Sequence, residues 1–241
     1  KRRNLVWRNA PLKKLVSRAL HGDDLPLDEQ AYRRLAASGY APASIIDIGA
    51  HDGNWSRLAR RVFPEASILM IEPLKSKAES LNALANSLER TRFVDALLGA
   101  EEGRTVTFYE AGTGSSVHRE QSNVQFKETS LQTSLLDDVA VQLDGPIFLK
   151  LDVQGAELEV LDGGSKTLDR SDLVQLEVAL LPYNEGAATF LQVIEYLDQR
   201  GFVPFDIAGM IRPTGAELVQ VDMLFVPIGS PLRPKHFVFQ E

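Results

Sequence analysis

The hydrophobic and polar positions of the chain alternate between two spacings. Residues 44–49 form a short run rich in isoleucine that ends in a glycine, which is typical of a buried strand running into a tight turn. Residues 54–62 then place Trp55, Leu58 and Val62 on one side, as a helix would. The first part of the chain therefore predicts a strand followed by a helix.

The same alternation continues to residue 226. Further strands are predicted at residues 67–72, 92–94, 105–109, 146–152, 172–178, 202–206 and 221–226, and further helices at 1–38, 75–88, 156–168 and 187–200. Strands alternating with helices predict a mainly parallel sheet with helices on both faces. No helical spacing separates the last two strands, which favours an antiparallel hairpin, and Pro204 indicates an edge or a bulge.

One stretch, residues 111–133, breaks the pattern. It is polar and rich in serine, threonine and glycine, with weak periodicity. Long irregular segments in compact domains are often functional, so it could cover an active site. A disordered or plain surface segment would have the same composition, and the sequence leaves both readings open.

The composition narrows the class of protein. The chain has 241 residues, 44% hydrophobic and 24% charged, which fits one large globular domain. It has no cysteine, which excludes disulfides and thiolate sites and suits a reducing cytoplasm, where we expect the protein to reside. Four histidines argue against a multi-histidine metal site, and we expect no metal. No apolar run reaches the length of a membrane span.

The charge is unevenly distributed. Residues 1–21 carry seven basic side chains and no acidic ones, although the whole chain has a net charge of −7. A basic arm can bind nucleic acid, but so acidic a body would repel phosphate, so we expect no nucleic-acid partner. We predict instead a helical extension over residues 1–40 that packs on a domain formed by residues 41–241. A homodimer is left open.

Candidate chemistry lies at the carboxyl ends of the predicted strands, where open parallel sheets bind ligands. The turn after the first strand contains Gly49 and Gly53, where the backbone must bend sharply. Glu72 follows Gly49 by 23 residues and ends the next strand, where a carboxylate can accept hydrogen bonds from both ribose hydroxyls of a nucleoside. Together these features predict a nucleoside-containing cofactor.

The sequence of the first turn also distinguishes between two classes of cofactor. A dinucleotide turn requires G-x-G-x-x-G and no carboxylate beside the phosphates, whereas this turn has two glycines and is preceded by Asp47. A carboxylate suits a cationic ligand with an ammonium and a sulfonium, namely S-adenosylmethionine. An NAD-dependent oxidoreductase is the alternative that this turn disfavours.

The chain resembles the FkbM-type family of S-adenosylmethionine-dependent methyltransferases. The matching stretches are SIIDIGAHDGNWS (44–56), ILMIEPLKSKAESLNAL (68–84), TSLLDDV (133–139), IFLKLDVQGAELEVLDGG (147–164), VQLEV (174–178) and VDMLFVP (221–227). The resemblance implies a Rossmann-like class I methyltransferase fold of the α/β class, whose mainly parallel seven-stranded sheet has an antiparallel last strand. It also implies O-methylation of a small-molecule hydroxyl acceptor, a sugar or a secondary metabolite.

The resemblance assigns roles to matched positions. The expected cofactor-binding residues are Asp47, Gly49, Ala50 and Gly53 at the methionine end, Glu72 and Pro73 at the ribose, Asp95 and Ala96 near the adenine, and Asp152. For Asp95, capping of a turn is an equally good reading. His51 stands where the family more often has asparagine.

Four residues are the catalytic candidates. Asp152 is the first choice for the base or for positioning the acceptor, His51 the second and Glu177 the third. Lys150 shares strand parity with Asp152, so the two side chains should face the same side. A structural ion pair is the competing reading, and a non-catalytic relative that only binds the cofactor is the competing function.

Overall fold

The computed structural model describes residues 25–121 and 125–233. Its strands are β1 (Ser44–Ile48), β2 (Ser67–Ile71), β3 (Thr91–Val94), β4 (Leu97–Leu98), β5 (Thr105–Glu110), β6 (Lys127–Ser134), β7 (Ile147–Leu151), β8 (Ser171–Ala179), β9 (Phe202–Ile211) and β10 (Gln220–Pro227). Its helices are α1 (Leu27–Ala37), α2 (Asn54–Val62), α3 (Lys75–Ser87), α4 (Leu136–Val139), α5 (Glu157–Asp162), α6 (Ser165–Asp169) and α7 (Phe190–Asp198). A 3₁₀ turn covers Gly112–Gly114.

Seven strands form the main sheet in the order β3-β2-β1-β7-β8-β10-β9. The first five of these pair in parallel, and β10 is antiparallel to both of its neighbours. The chain moves outward from β1 to β3 and then returns to place β7 on the other side of β1. The strand order therefore reverses between β1 and β7, where such sheets bind ligands. The predicted fold class is confirmed.

The predicted hairpin at the end of the chain is also confirmed. Strand β9 lies at the edge of the sheet and pairs only with β10 among the described strands. The pairing shifts register between Leu224 and Phe225, next to the position where Phe225 pairs with Pro204. Proline lacks a backbone donor, so an irregular edge is where a strand can accommodate it.

The two faces of the sheet carry separate hydrophobic clusters. Alternation along β1 sends Ile46 and Ile48 to one cluster and Ile45 to the other. Helix α1 packs on the second face through the fully buried Ala31 and Tyr32. This contact agrees with a helical segment lying on the core, but the division at residue 40 stays a prediction.

Three predicted elements differ from the structure. The helix expected over 1–38 begins at Leu27, and residues 1–24, with the basic arm, lie outside the described residues. The helix expected over 156–168 is two short helices, α5 and α6, separated at Gly163 and Gly164. A Cβ on Gly163 would lie 2.1 Å from the Gly99 carbonyl oxygen, so the close approach of another segment explains both the glycine and the break.

The third difference concerns the polar stretch at 111–133. Its last part forms β6, which pairs with β5 and β4 in a separate three-stranded sheet. Residues of β6 alternate between exposed and half-buried, so polar side chains fill it without the apolar run that would have signalled a strand. None of the helices within the described residues is long and apolar enough to cross a membrane.

Candidate functional site

A cavity of about 680 Å³ opens at the switch point of the main sheet. Its walls come from the turns that follow β1, β2, β7 and β8, and from residues 111–117 and Glu120 of the polar stretch. Nine of the residues expected in the site line it, namely Gly49, Ala50, His51, Glu72, Pro73, Ala96, Lys150, Asp152 and Glu177. Asp47, Gly53 and Asp95 do not line it. The expected cofactor and catalytic residues therefore share one cavity, apart from these three.

The turn after β1 has space only for glycine at two positions. Gly49 has a φ of +74°, and a Cβ there would lie 1.9 Å from the main-chain oxygen of Asp152. Gly53 has a φ of +69°, and a Cβ there would lie 2.2 Å from Leu84 Cδ2. Gly49 thus brings the turns after β1 and β7 into contact, and Gly53 packs the start of α2 against α3.

Replacing Gly49 with alanine is expected to destabilise the protein more than the same change at Gly103. Gly103 has a similar φ of +70°, but nothing lies within 4 Å of its would-be Cβ. The left-handed backbone alone should cost about 1–2 kcal/mol at Gly103, and the collision at Gly49 should add about 1–3 kcal/mol. Urea unfolding of the two variants measures the difference. Equal losses of stability would show that the contact with Asp152 is easily relaxed.

Glu72 connects the ends of β1 and β2. Its Oε2 accepts a hydrogen bond from the His51 backbone N–H at 2.9 Å, and its Oε1 accepts one from the Leu74 N–H at 3.0 Å. The residue is 4% exposed, and this burial raises the pKa of its carboxyl group. Each oxygen accepts one hydrogen bond and has a second lone pair available. The carboxylate can therefore receive two further donors from the cavity, such as a pair of ribose hydroxyls.

Asp47 and Lys150 form a buried ion pair behind the cavity. They are register partners on β1 and β7, and Lys150 Nζ lies 3.0 Å from Asp47 Oδ1. The second carboxylate oxygen of Asp47 accepts a hydrogen bond from Ser56 Oγ at 2.7 Å. Burial disfavours the charged lysine, but the Asp47 and Asp152 carboxylates outweigh it and raise the pKa of Lys150. Both Asp47 oxygens are thus engaged within the protein.

Lys150 also contacts the turn that follows β1, residues 49–53, which we call the cofactor turn. Its Nζ donates to the Gly49 carbonyl oxygen at 3.2 Å and lies 3.6 Å from Asp152 Oδ2. The expectation that Lys150 and Asp152 face the same side of the sheet is met. The stronger partner of Lys150 is nevertheless Asp47, a contact that the spacing within β7 could not reveal. The structure thus contains both the structural pair and a weaker contact with the candidate base.

A chain of hydrogen bonds leads from Asp152 to the far wall of the cavity. Gln154 Nε2 donates to both Asp152 Oδ1 and Glu177 Oε1, each at 2.9 Å. Glu177 Oε1 also accepts a hydrogen bond from Tyr183 Oη at 2.9 Å. Burial, followed by the nearby Asp152 and Glu157 carboxylates, holds the pKa of Glu177 well above its ordinary value. Burial and the neighbouring carboxylates therefore disfavour the charged form of Glu177.

His51 has an unusual backbone and one free nitrogen. Its φ is +46°, a conformation in which asparagine, aspartate and histidine are enriched. Its Nδ1 lies 3.1 Å from Asp52 Oδ2, and Asp52 in turn pairs with Lys77 at 2.6 Å. Its Nε2 is buried without a hydrogen-bond partner among the described residues. A carboxylate at Nδ1 favours the tautomer that leaves Nε2 as an acceptor.

The side chain of Asp95 pairs with a surface lysine and does not line the cavity. Its Oδ2 lies 2.6 Å from Lys75 Nζ at the surface, while the neighbouring Ala96 lines the cavity. The sequence placed both residues near the adenine, but only Ala96 reaches the cavity wall. Leu97, Leu98, Phe108 and Val160 extend this wall with apolar surface, which suits the flat face of a purine ring.

The polar stretch supplies the cover that its composition could not establish. Ser116 pairs with Tyr109 through the backbone, and its Oγ donates to the Gln154 carbonyl oxygen at 2.9 Å. His118 reaches Glu159 Oε1 at 3.0 Å through Nε2 and the Glu185 carbonyl oxygen at 2.9 Å through Nδ1. These contacts fix the segment over the turn after β7, and Glu120 reaches the cavity.

Three of the contributing residues were assigned no role from the sequence. Gln154 lies within the stretch matched to the family, but its amide bridges two carboxylates only because of the turn geometry. Tyr183 and Glu120 lie in segments without periodicity, and no spacing rule relates them to the strand ends.

The charge of the cavity suits a cation. Five carboxylates line it within the described chain, and these are Asp52, Glu72, Glu120, Asp152 and Glu177. Lys150 is the single lysine or arginine of that lining, and Asp47 already balances its charge. A pyrophosphate would be repelled here, whereas an ammonium and a sulfonium would be attracted. The residues present therefore fit S-adenosylmethionine.

Comparison with known proteins agrees with this geometry. The methyltransferase FkbM domain matches residues 47–204. The 2-O-methyltransferase NoeI of Sinorhizobium fredii is 26% identical over 170 residues, which cover 64% of this chain and 70% of that protein.

Solved methyltransferase structures are also similar. Magnesium protoporphyrin IX methyltransferase of Synechocystis PCC 6803 is 13% identical with a TM-score of 0.48, over 91% of this chain and 92% of that one. The 1,6-didemethyltoxoflavin-N1-methyltransferase of Burkholderia thailandensis is 15% identical with a TM-score of 0.45, over 89% and 86%.

The family match runs from Asp47 in β1 to Pro204 in β9. It therefore includes the turns after β1, β2, β7 and β8, which line the cavity. It includes four of the six stretches on which the resemblance was based and most of the first, residues 44–56, and it ends before residues 221–227. The chain belongs to the FkbM family of S-adenosylmethionine-dependent methyltransferases.

Proposed function

We propose that this enzyme transfers the methyl group of S-adenosylmethionine to a hydroxyl oxygen of a small molecule, a sugar or another natural product. The observation that carries the proposal is the single cavity that joins Glu72 and the Gly49 turn at one side to Asp152 and Glu177 at the other. The similarity to a 2-O-methyltransferase supports oxygen as the attacking atom.

The cofactor would bind across the ends of β1 and β2. Glu72 would accept hydrogen bonds from the ribose through its remaining lone pairs, and the apolar wall beside Ala96 would hold the adenine. The turn from Gly49 to His51 would then lie along the methionine part. Asp47 would act indirectly, by holding Lys150 against the Gly49 carbonyl oxygen. It would therefore shape the cofactor turn without contacting the ligand.

The chemistry places few demands on the protein. S-adenosylmethionine supplies a methyl group on a good leaving group, and in-line transfer forms a carbon–oxygen bond while the electron pair of the carbon–sulfur bond passes to sulfur. The protein must align the acceptor, exclude water and take up the hydroxyl proton. The cover at residues 111–121 would exclude water because it spans the cavity and is hydrogen-bonded to the turn after β7.

Asp152 is our candidate for the base. It lines the cavity with 39% of its side chain exposed, so the methyl acceptor can reach it. Its Oδ2 makes the longer of its two contacts, 3.6 Å to Lys150 Nζ. Gln154 fixes the other oxygen at 2.9 Å. Glu177 would not be the base. Because its pKa is raised, it would carry a proton and donate a hydrogen bond to the methyl acceptor. His51, which lines the cavity and whose Nε2 has no hydrogen-bond partner among the described residues, is the alternative base.

The two other functions make different demands. An NAD-dependent oxidoreductase would need a turn that binds pyrophosphate, and the carboxylates around this cavity oppose it. A non-catalytic relative would bind S-adenosylmethionine and leave every hydroxyl acceptor unmodified. The predicted cytoplasmic location, the small-molecule partner and the homodimer stay predictions of the sequence.

Cofactor binding tests the first part of the proposal. Isothermal titration should detect binding of both S-adenosylmethionine and S-adenosylhomocysteine to the wild type. Replacing Glu72 with glutamine should raise both dissociation constants about 10- to 100-fold, because hydrogen bonds to a charged acceptor contribute about 1.5–3 kcal/mol. The exposed Glu79→Gln variant on α3 is the control and should bind normally. Absence of binding by both ligands would refute the proposed cofactor site.

Transfer of label tests the second part. Incubation with S-adenosylmethionine labelled in its methyl group and a panel of sugars and hydroxylated natural products should yield products labelled at oxygen. Mass spectrometry of the product locates the methyl group. Label found only at nitrogen would contradict the proposed reaction, and binding without any transfer would favour the non-catalytic function.

A further inference from the structure

A second cavity of about 330 Å³ lies next to the first. Glu177 and Tyr183 line both cavities, so the two cavities adjoin at this polar wall. The volume is at the lower end of the range for small-molecule pockets, about 300–1,000 Å³. The first cavity has the features of the cofactor site, and the second is not needed for any contact described above.

The second cavity is amphipathic. Its polar side consists of Glu157, Glu177, Tyr183 and Asn184, and includes both residues shared with the first cavity. The remaining lining is mainly aliphatic, with Leu180, Leu191 and Val193 among its members. With distance from the wall that it shares with the first cavity, the lining of the second cavity therefore changes from polar to apolar groups.

Its polar groups leave one acceptor unsatisfied. Asn184 is 6% exposed, its Nδ2 donates to the Gln154 carbonyl oxygen at 2.7 Å, and its Oδ1 has no hydrogen-bond partner among the described residues. A buried acceptor of this kind costs about 1–3 kcal/mol unless a donor reaches it. Asn184 lines the second cavity and not the first, so a donor on a ligand of the second cavity is what would satisfy it.

The carboxyl groups of the polar side are compatible with an apolar ligand group beside them. Burial raises the pKa of Glu157 to about 7 and holds the pKa of Glu177 well above its ordinary value. Glu157 Oε1 is also satisfied by the N–H groups of Val153 and Gly155 at 3.1 and 3.2 Å. Burial thus disfavours the charged form of both groups, and Glu157 is hydrogen-bonded within the protein.

The apolar side extends to the protein surface. Leu180 and Leu191 are 37% and 75% exposed and line the cavity. Exposed leucines at the mouth of a pocket lower the free energy of an alkyl chain that lies across them.

We propose that this second cavity binds an alkyl substituent of the methyl acceptor, so that the substrate is an amphiphilic molecule whose polar part lies at the Glu177–Tyr183 junction. The inference rests on the proposed function, because it takes the first cavity as the place of methyl transfer. Two observations carry it: the cavities share Glu177 and Tyr183, and the lining of the second cavity divides into a polar and an aliphatic part.

The test uses a series of alkyl glucosides, from methyl through butyl to octyl, below their micelle concentrations. Each is titrated into the wild-type protein saturated with S-adenosylhomocysteine. Each methylene group that enters the cavity should tighten binding about fourfold, so the octyl compound should bind at least about 30-fold tighter than the methyl compound. Binding that is absent, or independent of chain length, would overturn the proposal.

Two variants locate the effect. Leu191→Glu places a charge at the mouth of the cavity and should remove most of the dependence on chain length. Ile228 is 67% exposed and lines neither cavity, so Ile228→Glu is the matched control and should keep the full dependence. Equal behaviour of the two variants would contradict the proposed site.

Failure of the proposed function is read out separately. S-adenosylhomocysteine binding is measured before each glucoside titration, and the series is repeated on the ligand-free protein. Loss of cofactor binding with a retained dependence on chain length would refute the cofactor site and leave the alkyl site. Normal cofactor binding with no such dependence would refute only the alkyl site.

Discussion

Replacing Lys150 with methionine is expected to lower the free energy of unfolding by about 3–5 kcal/mol, because it leaves a buried carboxylate without its cation. Asp47 is 0% exposed, and Lys150 is its only cationic partner in the part of the chain that the structure describes. Methionine matches the length of the lysine stem, so the loss should come from charge rather than from a void. Urea unfolding at neutral pH measures it.

Two controls separate the buried pair from lysine–aspartate pairs in general. Lys75 pairs with Asp95 at 2.6 Å, but its side chain is 73% exposed, so Lys75→Met should cost less than about 1 kcal/mol. The double variant Asp47→Asn with Lys150→Met removes both charges and should recover much of the stability. A single Lys150→Met variant as stable as Lys75→Met would show that the buried pair contributes no more to stability than the exposed one.

Replacing Asp152 with asparagine is expected to lower kcat about 10²- to 10⁴-fold, the usual contribution of a general base. Asparagine keeps an oxygen for the hydrogen bond from Gln154 Nε2, so the shape of the cavity should persist. Binding of S-adenosylhomocysteine should therefore change little. The measurement is the rate of label transfer to an acceptor that the wild type methylates.

The pH profile distinguishes a base from a residue that only shapes the cavity. For the wild type, kcat should fall on the acidic side as the base becomes protonated, and the asparagine variant should lose that part of the profile. Asp198→Asn removes an exposed carboxylate at the end of α7, outside the cavity, and should leave rate and profile unchanged. An acidic limb that persists in the Asp152 variant would instead point to His51 as the base.

Sequence reasoning succeeded where a signal is local. The isoleucine run of β1, the glycine that ends it and the acidic residue that ends β2 each lie within a few residues of the features that predict them. Their meeting at one edge follows from parallel strands, which bring their carboxyl ends together. Glu72 and the Gly49 turn could therefore be placed in one site before any coordinates, and they are hydrogen-bonded there.

The sequence could not supply contacts between side chains that are distant in the chain. Asp47 precedes the cofactor turn, but its neighbour across the sheet is Lys150, 103 residues away, and the pair excludes Asp47 from the cavity. Asp95 is likewise drawn to Lys75 at the surface. Parity along a strand identifies the face of a residue but not the residue opposite, because that depends on which strands become neighbours.

By itself, the sequence determined the family, the order of the strands and helices, and the chemistry at the strand ends, because hydrophobic spacing and glycine turns act over short distances. Only the tertiary structure decided which carboxylates face the cavity and which are neutralised elsewhere. It also decided that an aperiodic polar segment lines the site and that a second cavity adjoins it. These features depend on contacts between segments far apart in the chain, which no local pattern encodes.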